Sequence, residues 1–521
     1  MLLGVGVLGL PAKTLLAESC SVAKHGPPTD ADAALLTADY SKAEALYRAN
    51  LAKHAGDTEA TVGLVHALLR EQKVQDAADV VKTALAAAPK SGSLLTLRGE
   101  VEFRQGEPWL VEPTVIESYK LDPCNPRTRL LFARVSQVNS RYATAHQQIL
   151  LAHQLDPTDP EIRAAWIQTL PLEQRIPETE AYRTAPTGDD AITLQQMRSD
   201  LERLKKLVGQ PVRACRLSSA ATSADVPFIK LTGWQGHTRA NGLEMGLNGT
   251  TARLELGAGE GGLTVYRPVA ERAGLKRITE SEKGPFPGAK PSYTAYADSI
   301  KVGNLEFQNC TVKVIDSGSP FDDGDGIIGI DVFGDFLLTV DYPMRKLQLG
   351  PLPVRAQDTA APTLKTDVTV SPIAGNGPAV DRFIAPEMKD YSQIYRTGNS
   401  LILPAGLNAA KVKLFVLDVG RSETTVAPDV AREVTKVHEK DMGIPGLKAL
   451  IADEITFNFA HLSQKLTGVV SADTSGVSKA VGTEISGYIG ANTFSLLIMH
   501  IDFRDGLVKF EYIPNRGYKF E

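Results

Sequence analysis

The sequence predicts a multidomain chain: an all-α helical repeat followed by an all-β region built as two matched lobes. Three observations predict it. Ala55, Pro89, Pro123 and Pro157 recur with a constant period of 34. From about residue 225, short Val/Ile/Leu/Thr runs alternate with Gly and Asn turns, the pattern of all-β folds. Within that second part, a shift of 161 in the numbering lays one half on the other.

Bulk properties agree. At about 150 residues per domain, 521 residues allow three or four domains. The formal net charge of -5 argues against a dedicated nucleic-acid binder. A content of 43% hydrophobic and 22% charged residues is that of a globular chain. The four cysteines are too few for a disulfide scaffold and show no C-x-x-C metal spacing.

At the N-terminus, Leu2 to Pro11 is an apolar run too short to span a bilayer. Ala17-Glu18-Ser19 before Cys20 has the small residues of a signal-peptidase site, although no basic leader precedes it. Residues 1–19 therefore read as a signal peptide, and the chain as exported to the periplasm or beyond; a buried apolar segment is the plainer alternative. No other stretch has the length and apolarity of a transmembrane helix. In an exported chain one or two disulfides join Cys20, Cys124, Cys215 and Cys310, in a pairing that spacing leaves open.

The repeat follows. Twelve positions before each period marker stand Ala43, Ala77, Val111 and Ala145; five before stand Asn50, Ala84, Ser118 and Ala152. Small residues at fixed offsets let two helices of a hairpin approach closely, and proline ends each unit. Tyr40–Ala55 and Gln154–Pro157 carry a resemblance to the tetratricopeptide repeat, whose period is 34. The repeats are expected over 31–172, then a capping helix region over 173–210. There Ile192, Leu194, Met197, Leu201, Leu204 and Leu207 fall at helical spacing before Gly209. The resemblance implies a concave face for a protein partner; a spacer with no ligand is the bland alternative.

The two β lobes are expected at 226–350 and 379–521, joined by the proline-rich linker 351–378. The shift carries Gly257 onto Asp418, Gly259 onto Gly420, Ile328-Gly329 onto Ile489-Gly490, and Asp341 onto Asp502. In the second half, Leu414 to Leu417 runs into Asp418-Val419-Gly420-Arg421-Ser422, with Tyr488-Ile489-Gly490 further on. Strand–Asp–x–Gly followed by hydrophobic–hydrophobic–Gly resembles the pepsin and retropepsin type of aspartic peptidase. Gly326 to Phe333 and Val340 to Leu347 look like the lobe-closing segments of its bacterial members, some of which carry tetratricopeptide repeats. The resemblance implies two lobes that each supply one Asp loop to a shared cleft holding a peptide or protein substrate.

The chemistry of that family needs two carboxylates sharing one proton. Here the first lobe reads Leu256-Gly257-Ala258-Gly259-Glu260, with glycine where the acid belongs. Ala258 and Val419 replace the hydroxyls that knit the family's loops together. Asp418, Gly420 and Ser422 remain, facing the degenerate loop of Gly257, Gly259 and Glu260. The reading is a peptide-binding pseudopeptidase. The alternatives are an active endopeptidase using Asp418 with Glu255 or Glu260 as substitute acid, and a repeat-based interaction scaffold.

Other chemistry finds no support. Asp316-Ser317-Gly318 imitates the peptidase motif, but Gly329 follows too soon for a lobe to fit between. The acids Asp322, Asp323 and Asp325 lack EF-hand spacing and read as a solvated turn. No H-E-x-x-H, Walker A loop or G-x-S-x-G elbow is present, so neither metal nor cofactor is expected. Tyr293 and Tyr296 fall where a flap hairpin over the cleft is expected, and His500 where the shift places Thr339.

Overall fold

The computed structural model describes residues 20–209, 215–233, 236, 238–257, 261–279, 291–316, 323–355, 362–366, 380–408, 410–441 and 448–514. The stretch 1–19, read as an export signal, lies outside them.

Eleven helices come first among the described residues: α1 (Asp30–Leu36), α2 (Tyr40–Lys53), α3 (Thr58–Arg70), α4 (Val74–Ala87), α5 (Gly92–Arg104), α6 (Pro108–Leu121), α7 (Pro126–Val138), α8 (Tyr142–Leu155), α9 (Pro160–Ile167), α10 (Leu172–Thr184) and α11 (Ala191–Leu207). The period is visible in their starts. Helices α3, α5, α7 and α9 begin at 58, 92, 126 and 160; α2, α4, α6 and α8 begin at 40, 74, 108 and 142. The same period sets the caps. Asp57, Ser91, Asn125 and Asp159 each accept backbone N–H bonds in the first turn that follows. The small residues Ala43, Ala77, Val111 and Ala145 are all 0% exposed, so they sit where paired helices touch.

The period stops at α10. It begins at Leu172 behind Pro171, at the end of the expected repeats, runs into the stretch expected to be cap, and closes a fifth hairpin with α9. In α11, Leu201 and Leu204 are buried but Ile192 is exposed, so only part of that apolar stripe is core.

The β region repeats its own plan. Strand Thr250–Gly257 lies parallel to Gly326–Gly329, with Leu256 opposite Ile328. Strand Val412–Leu417 lies parallel to Gly487–Ile489, with Leu417 opposite Ile489. The starts of helices α12 (Arg267–Arg272) and α13 (Pro428–Val434) are related by the same shift of 161, as are those of strands Phe336–Asp341 and Leu497–Asp502. Those last two strands pair antiparallel, Leu337 with Asp502, Thr339 with His500 and Asp341 with Ile498. The pairing centres on Thr339 and His500, so a pseudo-twofold axis runs through the seam between the lobes. Lys346–Pro351 and Leu507–Tyr512 extend this sheet on either side. One apolar core, with Phe307, Phe333, Phe336, Phe415, Phe494 and Phe510 fully buried, spans both lobes.

The linker is not wholly linker. Thr363–Leu364 pairs with Cys215–Leu217, and Lys365 N–H donates to Val332 O at 2.9 Å. An edge strand exposes unpaired backbone groups, and these residues cover one.

The array docks on the second lobe through the last turn of α5 and the first turns of α6 and α8. Thr483 Oγ1 and Glu484 N–H donate to Phe103 O and Arg104 O at the C-terminal end of α5. Trp109 packs with Ile402, Leu414, Val416 and Ile485. Thr144 Oγ1 donates to Asp381 at 2.8 Å.

Two disulfides settle the pairing that spacing left open: Cys20–Cys124 and Cys215–Cys310, separated by 104 and 95 residues. Such bonds persist in oxidising compartments, which is consistent with an exported protein. Among the described residues no helix is long and apolar enough to cross a membrane. Replacing Cys215 and Cys310 together with alanine removes a long loop constraint from the unfolded chain. It is expected to cost about 2–5 kcal/mol, read as a lower midpoint in chemical denaturation.

Candidate functional site

The site forms where the paired strands of each lobe end, beside the seam. In the second lobe, strand Val412–Leu417 delivers Asp418 into a tight turn. Its N–H donates to Ile489 O at 3.0 Å, and Oδ1 accepts from the N–H groups of Gly420 (3.2 Å) and Arg421 (2.9 Å). Asp418 is 7% exposed. Burial raises its pKa above the ordinary value, while those N–H groups and the Arg421 guanidinium pull the other way. Arg421 Nε lies 3.5 Å from Oδ2, and its guanidinium stacks 4.5 Å over the Tyr488 ring. A cation therefore attends this carboxylate. Sequence reading missed Arg421, which stands three positions after Asp418 in the turn.

In the first lobe, strand Thr250–Gly257 ends on Gly257, opposite Gly329. A Cβ there would lie 2.8 Å from Ile327 Cγ2, a side-chain methyl. Glu255, two positions earlier, is ion-paired with Arg239. Gly259 and Glu260 lie outside the described residues, as does Ala258. Beyond them, Gly262 N–H donates to Asp331 Oδ2 at 3.0 Å. Burial pushes the Asp331 carboxyl up to about 6.

The two loops touch. A Cβ on Gly420 would lie 1.7 Å from Leu256 O, so only glycine fits there. Asn241 N–H donates to Gly420 O at 2.8 Å, and Ser422 N–H to Arg239 O at 3.3 Å. Ser422 thus serves through its backbone, with no hydrogen bond from its hydroxyl to Asp418 among the described residues. Tyr342, a first-lobe residue, donates from its buried Oη to Val419 O at 3.0 Å. That bond fastens the second loop where Val419 has no hydroxyl to offer. The shift carries Tyr342 onto Phe503, which has no hydroxyl to do the same for the first loop. Sequence reading missed Tyr342, although it follows Asp341 inside a segment already singled out.

Each lobe also raises a hairpin. Lys276–Arg277 pairs with strand Ser292–Val302, and Val437–Asp441 with Lys448–Phe459. Residues 280–290 and 442–447 lie outside the described residues. Tyr296 faces Lys276 across the first hairpin, and the Arg277 guanidinium covers the Tyr293 ring at 4.3 Å. On the second lobe a cavity of about 460 Å3 lies between Glu423 and the hairpin strands, with Ile451 and Val470 among its walls. The remaining candidates are structural. Asp316 pairs with Arg267, Asp323 with Arg253 and Asp325 with Arg272, while Asp322 lies outside the described residues. Among the described residues no cluster of His, Cys, Asp or Glu could hold a metal ion. His500 shares a hydrogen bond of 2.9 Å with Thr339.

Two outcomes follow from this geometry. Gly420→Ala is expected to force the loops apart and lower stability by about 3 kcal/mol or more, read by thermal and chemical unfolding. The second concerns pH. A carboxyl whose folded pKa lies above its unfolded value binds the extra proton in the folded state, so its contribution is lost as pH rises. For Asp331 the window runs from the usual 3.8 to about 6. Asp331→Asn places there the residue that the second lobe carries at Asn492. It is expected to shrink the fall in stability between pH 4 and 7 by on the order of 2 kcal/mol, read from denaturant midpoints at both pH values.

A scan against protein-family models found no match, and a search of curated proteins found none. Among solved structures, the chain is similar to an aspartic proteinase from Irpex lacteus at 11% identity. That likeness covers 56% of this chain and 98% of the other, with a TM-score of 0.35. It is also similar to a thermophilic TPR protein in Thermus thermophilus at 19% identity. This one covers 32% of the chain and 90% of the other, with a TM-score of 0.26. Both TM-scores are low.

Proposed function

We propose that the two β lobes form an aspartic-peptidase-like cleft that holds an extended peptide without cutting it. The observation that carries this reading is the pair of strand ends beside the seam: Asp418 closes one and Gly257 the other. A peptidase of this kind needs two carboxylates close enough that both cannot ionise, one to activate water and one, protonated, to polarise the peptide carbonyl. A single carboxylate has no partner for the shared proton. The Arg421 guanidinium beside Asp418 favours its ionised form and is no substitute for a second acid. Glu255, the nearest described acid on the first strand, is held by Arg239. What remains is recognition. The hairpins of the two lobes offer strand edges to an extended chain, and main-chain hydrogen bonds supply affinity in that mode.

The test is a diverse peptide pool incubated with the full chain from pH 3 to 7 and analysed by mass spectrometry. The expected result is binding without new termini. Gly257→Asp is expected to gain cleavage that Asp418→Asn abolishes again, because a carboxylate at 257 restores the pair and meets only a movable methyl. Cleavage by the unmodified protein that Asp418→Asn removes would overturn the reading and establish an active peptidase.

A further inference from the structure

The two seam hairpins turn alike. In the first lobe Met344 N–H donates to Asp341 Oδ1 at 3.0 Å, and in the second Asp505 N–H donates to Asp502 Oδ1 at 3.0 Å. The shift of 161 carries Asp341 onto Asp502 and Met344 onto Asp505. Met344 is 52% exposed, whereas Asp505 is 0% exposed. The second copy of the turn therefore buries two carboxyl groups where the first has one.

The two acids are served unequally. Asp505 accepts from Arg355, from Arg504 Nε at 3.1 Å and from Phe383 N–H at 2.9 Å. Asp502 is 1% exposed, and its Oδ2 is buried with no hydrogen-bond donor among the described residues. A buried carboxylate oxygen without a donor is costly. A proton held between the two carboxyls supplies that donor and removes one of two like charges. Burial, and then the charge of Asp505, push the Asp502 carboxyl from 3.8 up to about 7.

This turn is also where the array meets the second lobe. Val380 O accepts from Tyr142 N–H at 3.1 Å, and Asp381 Oδ1 from Thr144 N–H at 3.0 Å, both in the first turn of α8. The next two residues hold the acid turn instead. Arg382 Nε donates to Asp505 O at 2.7 Å, and Phe383 N–H to the Asp505 carboxylate. Ser140, between α7 and α8, comes so close that a Cβ on Gly506 would lie 2.9 Å from its Oγ. Other charged and titratable groups surround the pair. Arg396 donates to Phe503 O at 3.4 Å, and Arg141 adds like charge near Arg382. Tyr391 stands among Asp502, Asp390, Lys509 and Glu511. His500, two positions before Asp502 on the same strand, has its ring 6.5 Å from Tyr391 and its Nε2 3.5 Å from Glu511.

We propose that Asp502 and Asp505 form a pH-sensitive latch between the array and the second lobe: with one proton shared between them the turn holds residues 380–383 against α8, and loss of that proton to solvent in mildly alkaline solution loosens the hold. The folded carboxyl binds its proton more tightly than the unfolded one, so the contribution is present in acid and fades as pH rises through about 7. The latch does not depend on the reading given for the cleft.

Hydrogen–deuterium exchange of the full chain at about pH 6 and about pH 8.5, corrected for the intrinsic pH dependence of exchange, tests the proposal. Protection of the Tyr142, Thr144 and Phe383 amides is expected to fall about tenfold between the two. Asp502→Asn keeps an oxygen for Asp505 N–H and offers an N–H in place of the shared proton, so its protection is expected to be equal at both pH values. Asp505→Asn, which keeps an acceptor for Phe383 N–H, is expected to behave alike and decides the matter if Asp502→Asn does not fold. Equal protection at both pH values in the unmodified chain would overturn the proposal. A fall that persists in a folded variant would overturn it too, and would belong to His500 or another group.

Discussion

The antiparallel pairing of Phe336–Asp341 with Leu497–Asp502 is the constraint on which the rest of the β region depends. Two copies of one strand meet about their own midpoint, Thr339 opposite His500. Backbone hydrogen bonds then set the rotation between the lobes as rigidly as they set a register within a sheet. With that rotation set, the paired strands inside each lobe end near each other, where Gly420 abuts Leu256 O. Asp418 and Gly257 stand at those ends because the seam leaves their strands no other direction.

Close approach then selects the residues of the loops. Gly420 sits so near Leu256 O that a side chain has no room, and the first-lobe strand beginning at Thr238 lends Asn241 N–H and Arg239 O to the turn after Asp418. Tyr342 fastens Val419 from across the seam. The second loop, which carries Asp418, receives hydrogen bonds from the first lobe. Burial of Asp418 under these contacts opposes its charge, and Arg421 compensates. The array also meets the second lobe through backbone groups, since Thr483 and Glu484 donate to carbonyls at the end of α5.

Much of the fold was legible in the chain. Helix starts, caps and the fully buried small residues all follow the period of 34, because each repeat solves one packing problem in one way. The shift of 161 anticipated matched strands and helices for a similar reason: two copies fold by the same local rules. Legibility failed where a residue's role is assigned by a neighbour far along the chain. Ser422 looked like a partner for Asp418, yet its backbone is taken by Arg239, a first-lobe residue far earlier in the sequence. Part of the proline-rich linker is a strand because the first lobe presents an open edge to it. α10 runs into the expected cap because the period ends before the hairpins do.

The sequence by itself determined what is local and periodic: two kinds of repetition, the turns that punctuate them, and a glycine where its duplicate carries an aspartate. Periodicity reports which face of an element is buried, and composition reports which turns it tolerates. Only the tertiary structure decided which groups meet. It paired Cys20 with Cys124 and Cys215 with Cys310, brought Tyr342 to Val419, and set Arg70 against Asp189. The physical reason is that hydrogen bonds and ion pairs act over a few ångströms of space, and distance along the chain carries no record of them.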